Sequence, residues 1–172
     1  MLEKNCGFTG YRPSRFDFKY NEHHPDCMLL KQQLAGKIIQ KCCLGVYNFF
    51  TGMAMGNDIW AAEAVLEAKR DFYNINLIAV VPFKNHIDSL MNSYVSRYEN
   101  ILNKCADVIY IADDYSNNAY LLRNKYIVDH CGSIIAVYDE KRNLARSGTS
   151  QTVNYSKRMG RDITYIVPGS LH

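Results

Sequence analysis

The chain has 172 residues, 48% of them hydrophobic, which suits one folded domain over residues 1–172 and excludes a disordered polymer. Its 20 basic and 17 acidic residues leave a net charge of +3, too mild to drive DNA or membrane binding by long-range electrostatics alone. The apolar runs are too short to span a bilayer, and Met1-Leu2-Glu3-Lys4-Asn5 lacks the apolar stretch of a secretory signal, so the expected compartment is the cytoplasm.

The first apolar run, Asn5 to Gly10, reads as a strand. It leads into Gly7-Phe8-Thr9-Gly10-Tyr11-Arg12-Pro13, where glycines permit close backbone approach to a ligand. Thr9 adds a hydroxyl there, and Arg12 a charged fork suited to phosphate. A polar loop runs to Pro25 and holds a local H-H-x-x-C group of His23, His24 and Cys27. No second ligand pair with zinc-site spacing accompanies it, so no metal site is expected. Asp26 is placed to cap a helix with Leu30, Leu34 and Ile38 on one face, stopping near Gly45.

Val46 to Thr51 is the second apolar run. Thr51-Gly52-Met53-Ala54-Met55-Gly56-Asn57-Asp58 follows and opens a helix, whose free N–H groups attract anions. Asp58 has two readings: it caps the helix, or it holds a ribose hydroxyl. Glu63 lies one and a half turns further on, either reaching the site or lying on the surface. Ile59, Ala62, Leu66 and Phe72 form the stripe expected to be buried. Leu77 to Phe83 is apolar almost throughout, as in a strand covered on both faces of a parallel sheet.

A helical pattern near Asp88 to Lys104 places Leu90, Tyr94, Tyr98 and Ile101 on one face. Asp107 to Ala112 is a fourth strand, Asn117 to His130 a fourth helix and Ser133 to Tyr138 a fifth strand. The fourth helix carries Arg123-Asn124-Lys125-Tyr126-Ile127-Val128-Asp129-His130, with Ile127 and Val128 facing the core. Arg146-Ser147-Gly148-Thr149-Ser150 then precedes a short helix, a second anion-binding geometry or an ordinary Ser/Gly loop. Ile163 to Val167 is a sixth strand. The six cysteines contain no C-x-x-C pair and read as buried hydrophobes. The 13 tyrosines suit core and interface positions, which favours a homo-oligomer.

The alternation implies an α/β, Rossmann-like, doubly wound, mostly parallel sheet of about six strands with helices on both faces. In such sheets ligands bind outside the carboxyl ends of the strands, where the strand order reverses.

Four segments, in order and spanning nearly the whole chain, resemble the SLOG superfamily and its YpsA-like branch. They are Thr9 to Pro13, Gly52 to Glu63, Arg123 to His130 and Ser147 to Thr152. The resemblance implies a Rossmann-like fold and a nucleotide-derived ligand. The superfamily includes the LOG phosphoribohydrolases, which release a base from a nucleoside monophosphate, and the DprA proteins, which bind single-stranded DNA. Arg123 matches the helix arginine of the LOG enzymes, and Gly148-Thr149 match the G-T of their P-G-G-x-G-T-x-x-E motif. The motif's glutamate falls on Thr152, which cannot act as an acid or base, and Ala145 and Arg146 stand in the region of its first glycines.

The leading expectation is a site for a nucleotide-type phosphorylated ligand, in a protein that acts as a binder or sensor. Thr9, Gly10, Tyr11, Arg12, Gly52, Gly56, Asn57, Asp58, Arg123, Ser147, Gly148 and Thr149 would line it, and Tyr11 or Tyr115 would stack on the base. A second expectation is an N-glycosidic hydrolase using Glu63 and Arg123. A third, single-stranded nucleic-acid binding, rests only on the mild positive charge and scattered aromatics. No cofactor is expected.

Overall fold

A computed structural model describes residues 1–142 and 147–169 of the chain. Six parallel strands alternate with five α-helices among the described residues. In chain order these are β1 (Asn5–Gly10), α1 (Pro25–Cys43), β2 (Asn48–Thr51), α2 (Asn57–Ala68), β3 (Asn76–Phe83) and α3 (Asn92–Lys104). β4 (Asp107–Ala112), α4 (Ala119–His130), β5 (Ser133–Val137), α5 (Gly148–Arg158) and β6 (Asp162–Ile166) complete the set. This is the expected α/β Rossmann-like architecture, with the sheet wholly parallel.

The sheet order is β4-β3-β2-β1-β5-β6. The chain builds outward from β1 to β4, then returns to lay β5 on the free side of β1. Cys6 pairs with Ser133, and Gly10 with Val137. Because such crossovers share one hand, reversing the direction of winding moves the helices to the opposite face.

Alternation along the strands feeds two cores. Cys6, Phe8, Phe49, Leu77, Ala79, Val81, Ile135 and Val137 join the larger one, which includes Leu30, Leu34 and Ile38 of α1, Ile59, Ala62 and Val65 of α2 and Tyr94, Tyr98 and Ile101 of α3. Phe50, Val80 and Ile134 join the smaller one, with Ile127, Val128 and Cys131 at the end of α4. Both faces of β3 are thus covered, the reason its sequence is apolar almost throughout.

Some boundaries differ from the sequence reading. Asp26 does not cap α1; His24 does, its Nδ1 accepting from the Asp26 N–H at 3.2 Å. Pro25 takes the first helical position, where a missing N–H costs nothing. Gly45 does end this helix region, with φ of 84°. The third helical pattern splits into a 3-10 turn, His86–Ser89, and the α-helix proper from Asn92. Phe72 packs on the core from beyond the end of α2.

Candidate functional site

The end of β1 and the segments that follow β1, β2 and β5 surround, with α4, a cleft of about 310 Å³ at the point where the strand order reverses. Four stretches line it. They are Phe8 to Gly10 at the end of β1 with Tyr11, Arg12, Ser14 and Arg15 after it; Ala54, Met55, Asn57 and Asp58 after β2; Tyr120, Arg123 and Asn124 on α4; and Ser147, Gly148 and Thr149 at the start of α5. A parallel sheet brings them together because all its strands end on the same side.

Arg123 anchors the floor. It is 4% exposed, and its Nη1 donates to the Gly52 carbonyl oxygen and to Asp58 Oδ2, the latter at 3.4 Å. Gly52 permits this approach, since a Cβ there would lie 2.6 Å from the guanidinium carbon. Burial pushes the arginine's pKa down, and the Asp58 carboxylate opposes that shift. The Arg123 Nε is buried and has no hydrogen-bond partner among the described residues.

The loop after β2 is shaped for this arrangement. Gly56, the N-cap of α2, has φ of 83° and ψ of −120°, a region essentially confined to glycine. Pro13 packs against it, and a Cβ on Gly56 would stand 2.6 Å from the proline ring. Met53 takes φ of 60° although it carries a side chain. It is fully buried, and its N–H donates to Thr51 Oγ1 at 3.3 Å. Asp58 does not cap α2. Its Oδ2 accepts instead from the Ala54 N–H at 3.2 Å, which ties the loop to the helix and points the carboxylate at Arg123.

The opposite wall is the start of α5. Ser147 and Ser150 form a reciprocal capping box, with bonds of 3.1 and 2.9 Å. The Thr149 hydroxyl donates to the Gly10 carbonyl at 2.9 Å, which stitches the helix to the end of β1. The helix start therefore faces the cleft with its partial positive charge. Thr152, at the position of the motif glutamate, is buried and donates back to the Gly148 carbonyl at 2.8 Å.

The cleft is electropositive. Among the described lining residues Arg12, Arg15 and Arg123 face one carboxylate, Asp58. Tyr120 lies between two of these arginines, with Arg12 and Arg123 each 5.9 Å from its ring centre. Behind it sits His86, 1% exposed, its Nδ1 3.2 Å from the Tyr98 hydroxyl. Burial, with help from Arg123 and Arg12, pushes the His86 pKa down to about 3.

Of the residues singled out in the sequence, Thr9, Gly10, Tyr11, Arg12, Asn57, Asp58, Arg123, Ser147, Gly148 and Thr149 line this cleft. Gly52 and Gly56 lie behind it as supports. Tyr11 is 2% exposed; its ring packs on Phe16 and Tyr138, and its hydroxyl accepts from the Asp139 N–H at 3.3 Å. Tyr115 packs edge-on against Phe83 and does not line the cleft. Arg146 lies outside the described residues.

Glu63 does not line the cleft either. Arg97 of α3 holds it in a fork, Nε to Oε1 at 2.7 Å and Nη2 to Oε2 at 2.8 Å. The cleft residues Ser14, Arg15, Ala54, Met55, Tyr120 and Asn124 were not singled out in the sequence. For Arg15 the available signal was a second arginine three residues after Arg12, on the same strand-end loop.

The cysteines are free, and Cys6, Cys27, Cys42 and Cys131 are buried. Burial raises the Cys6 thiol to about 11. No group of three or more His, Cys, Asp or Glu side chains among the described residues is placed to hold a metal ion. No described helix is long and apolar enough to cross a membrane.

The YpsA family model, described as the YspA SLOG family, matches residues 6–171. A UPF0398 protein of Staphylococcus epidermidis is 30% identical over 101 residues, covering 59% of this chain and 53% of that protein. One from Staphylococcus aureus is 28% identical over 108 residues, covering 63% and 57%. The match therefore spans little more than half the length of these relatives. DNA processing protein A (DprA) from Streptococcus pneumoniae superposes with a TM-score of 0.63 at 18% identity, over 98% of this chain and 52% of that one. The structural-genomics target TM1055 superposes with a TM-score of 0.51 at 16% identity, over 92% and 71%. At these identities the solved structures establish a shared fold.

Proposed function

The chain belongs to the YspA SLOG family, and from that premise we propose that its cleft binds a nucleotide or nucleotide-derived phosphorylated small molecule. One observation carries the reading: a buried arginine, Arg123, forms the floor of a cleft rimmed by Arg12, Arg15 and the start of α5. Phosphate suits the rim, where guanidinium forks and free helix N–H groups converge. A sugar hydroxyl suits the floor, where Asp58 is an acceptor and Asn57 has a buried carbonyl oxygen without a described partner. The exposed part of Tyr120 offers a surface for a base.

The volume of about 310 Å³ is at the small end for small-molecule sites, which span roughly 300–1,000 Å³. That favours one small ligand over a polymer track. The hydrolase reading is weaker. It needs a carboxylate free to act on substrate, and Glu63 is engaged by Arg97 while Asp58 is engaged by Ala54 and Arg123. The reading is therefore of a binder or sensor.

Titration calorimetry against nucleoside monophosphates, nucleoside diphosphates and nucleotide sugars tests this. Binding of at least one class is expected. Arg12→Ala and Arg15→Ala should each weaken it by about tenfold or more, since a charge-assisted hydrogen bond contributes roughly 1.5–3 kcal/mol. A folded protein that binds none of the panel overturns the proposal. Release of free base from a bound monophosphate would restore the hydrolase reading.

A further inference from the structure

Glu22 lies outside the cleft, in the loop between β1 and α1, and its carboxylate gathers donors from three helices. Oε1 accepts from the Trp60 indole N–H on α2 at 2.8 Å, from the Tyr94 hydroxyl on α3 at 3.1 Å and from Arg97 Nη1 on α3 at 2.8 Å. Oε2 accepts from Lys31 on α1. Arg97 is itself oriented by the two oxygens of Glu63. Two carboxylates and two cations are therefore balanced around the indole edge. Burial pushes the Glu22 carboxyl up, and the bonds from Arg97, Lys31 and Trp60 more than reverse this, leaving a pKa of about 2.

The same loop carries two of the cleft's arginines, Arg12 and Arg15. Between them and Glu22 run Phe16 and Phe18, stacked on each other with ring centres 4.8 Å apart. Both rest on Trp60, at 6.1 and 6.3 Å. Upstream, the Arg15 N–H donates to the Arg12 carbonyl at 2.9 Å and the Phe16 N–H to the Pro13 carbonyl at 3.1 Å. The turn that presents Arg12 and Arg15 is thus continuous with a segment pinned at its far end by one carboxylate.

We propose that Glu22 is the positioning residue for the ligand-facing arginine turn: by clamping the loop to α1, α2 and α3 it fixes where Arg12 and Arg15 stand in the cleft. In this arrangement Glu63 is an indirect support that sets the angle of Arg97. The proposal deepens the nucleotide reading and rests on it for the ligand, but its structural half is testable without one.

The test uses the full chain, with Glu22→Gln as the variant and Glu67→Gln as the control. Gln keeps the shape and removes the charge; Glu67 belongs to an exposed ion pair with Arg70. Hydrogen exchange is followed by mass spectrometry, and AMP and inorganic phosphate are titrated by calorimetry. In Glu22→Gln, amides of residues 11–24 should exchange at least tenfold faster while the sheet keeps its protection. AMP affinity should fall about tenfold, Glu63→Gln should give an intermediate loss, and Glu67→Gln should behave as the parent. Unchanged exchange over residues 11–24 overturns the proposal. So does a uniform rise across the sheet, which would mark Glu22 as a general stabiliser only. If the parent protein binds neither AMP nor phosphate, the nucleotide reading fails for those probes, and the exchange of residues 11–24 still decides the clamp.

Discussion

Gly52 and Arg123 are 71 residues apart in the chain, and each requires the other. A methyl group at position 52 would lie 2.6 Å from the Arg123 guanidinium carbon and 2.8 Å from Asp58 Oδ2. Gly52→Ala should therefore push the arginine off its carbonyl anchor and cost roughly 1–3 kcal/mol, the usual range for overpacking. Urea denaturation measures this, and ligand affinity should fall with it. His86 supports a pH prediction. Its folded pKa of about 3 lies below its ordinary 6.5, so the unfolded chain takes up a proton in this interval and the folded one does not. The stabilisation is complete above pH 6.5 and is lost as pH falls toward 3, by up to about 1.4 kcal/mol per pH unit. Replacing His86 by Gln should flatten that part of the stability profile, followed by denaturation at pH 7, 5 and 4. Much of the cleft lining was legible at this scale, because Arg12 closely follows β1, and Asp58 and Gly148 lie in the first turns of the helices that follow β2 and β5. The sequence left Glu63 open between the cleft and the surface because its partner, Arg97, is 34 residues away, and no local pattern announces a salt bridge between two helices.

At the scale of elements, periodicity marked β1 and β4 to their observed ends, Asn5–Gly10 and Asp107–Ala112. Residues such as Ile78 and Val80 on one face, and Ala79 and Val81 on the other, show why β3 is apolar throughout rather than alternating. The start of α1 was harder to read. An aspartate before an apolar stripe is an ordinary cap, yet Pro25 fits the first helical position and leaves His24 to accept the hydrogen bond. At α5 the capping box serves both stability and the cleft wall. Ser147→Ala should cost about 1 kcal/mol. For a domain of this size that lowers the melting temperature by roughly 2–4 °C. Thermal denaturation followed by circular dichroism checks this, and a parallel loss of ligand affinity would show that the cap also orders the wall.

On the scale of the whole molecule, the sheet has β1 and its neighbours β2 and β5 inside, with β4 and β6 as edges. Amides of β1 and β5 should exchange most slowly and those of β4 earlier, since edge strands open without breaking the core. Hydrogen exchange by mass spectrometry distinguishes the strands directly. The sequence already implied the reversal of strand order, because alternating apolar runs and helices leave few parallel topologies. It could not display the depth of the cleft, which depends on side chains from four separated stretches meeting at one end. Pairing of β1 with β5 also has a consequence in time. The two strands join residues as far apart as Cys6 and Ser133, so everything from β1 to the start of α5 must be synthesised before the second wall can dock on the first. Long-range pairings of this kind form late and slowly. Occupancy of the cleft would therefore report that β5 and α5 have docked on β1, and a ligand touching both walls would hold that docked state by mass action, adding roughly 2.7 kcal/mol at a hundred times its dissociation constant.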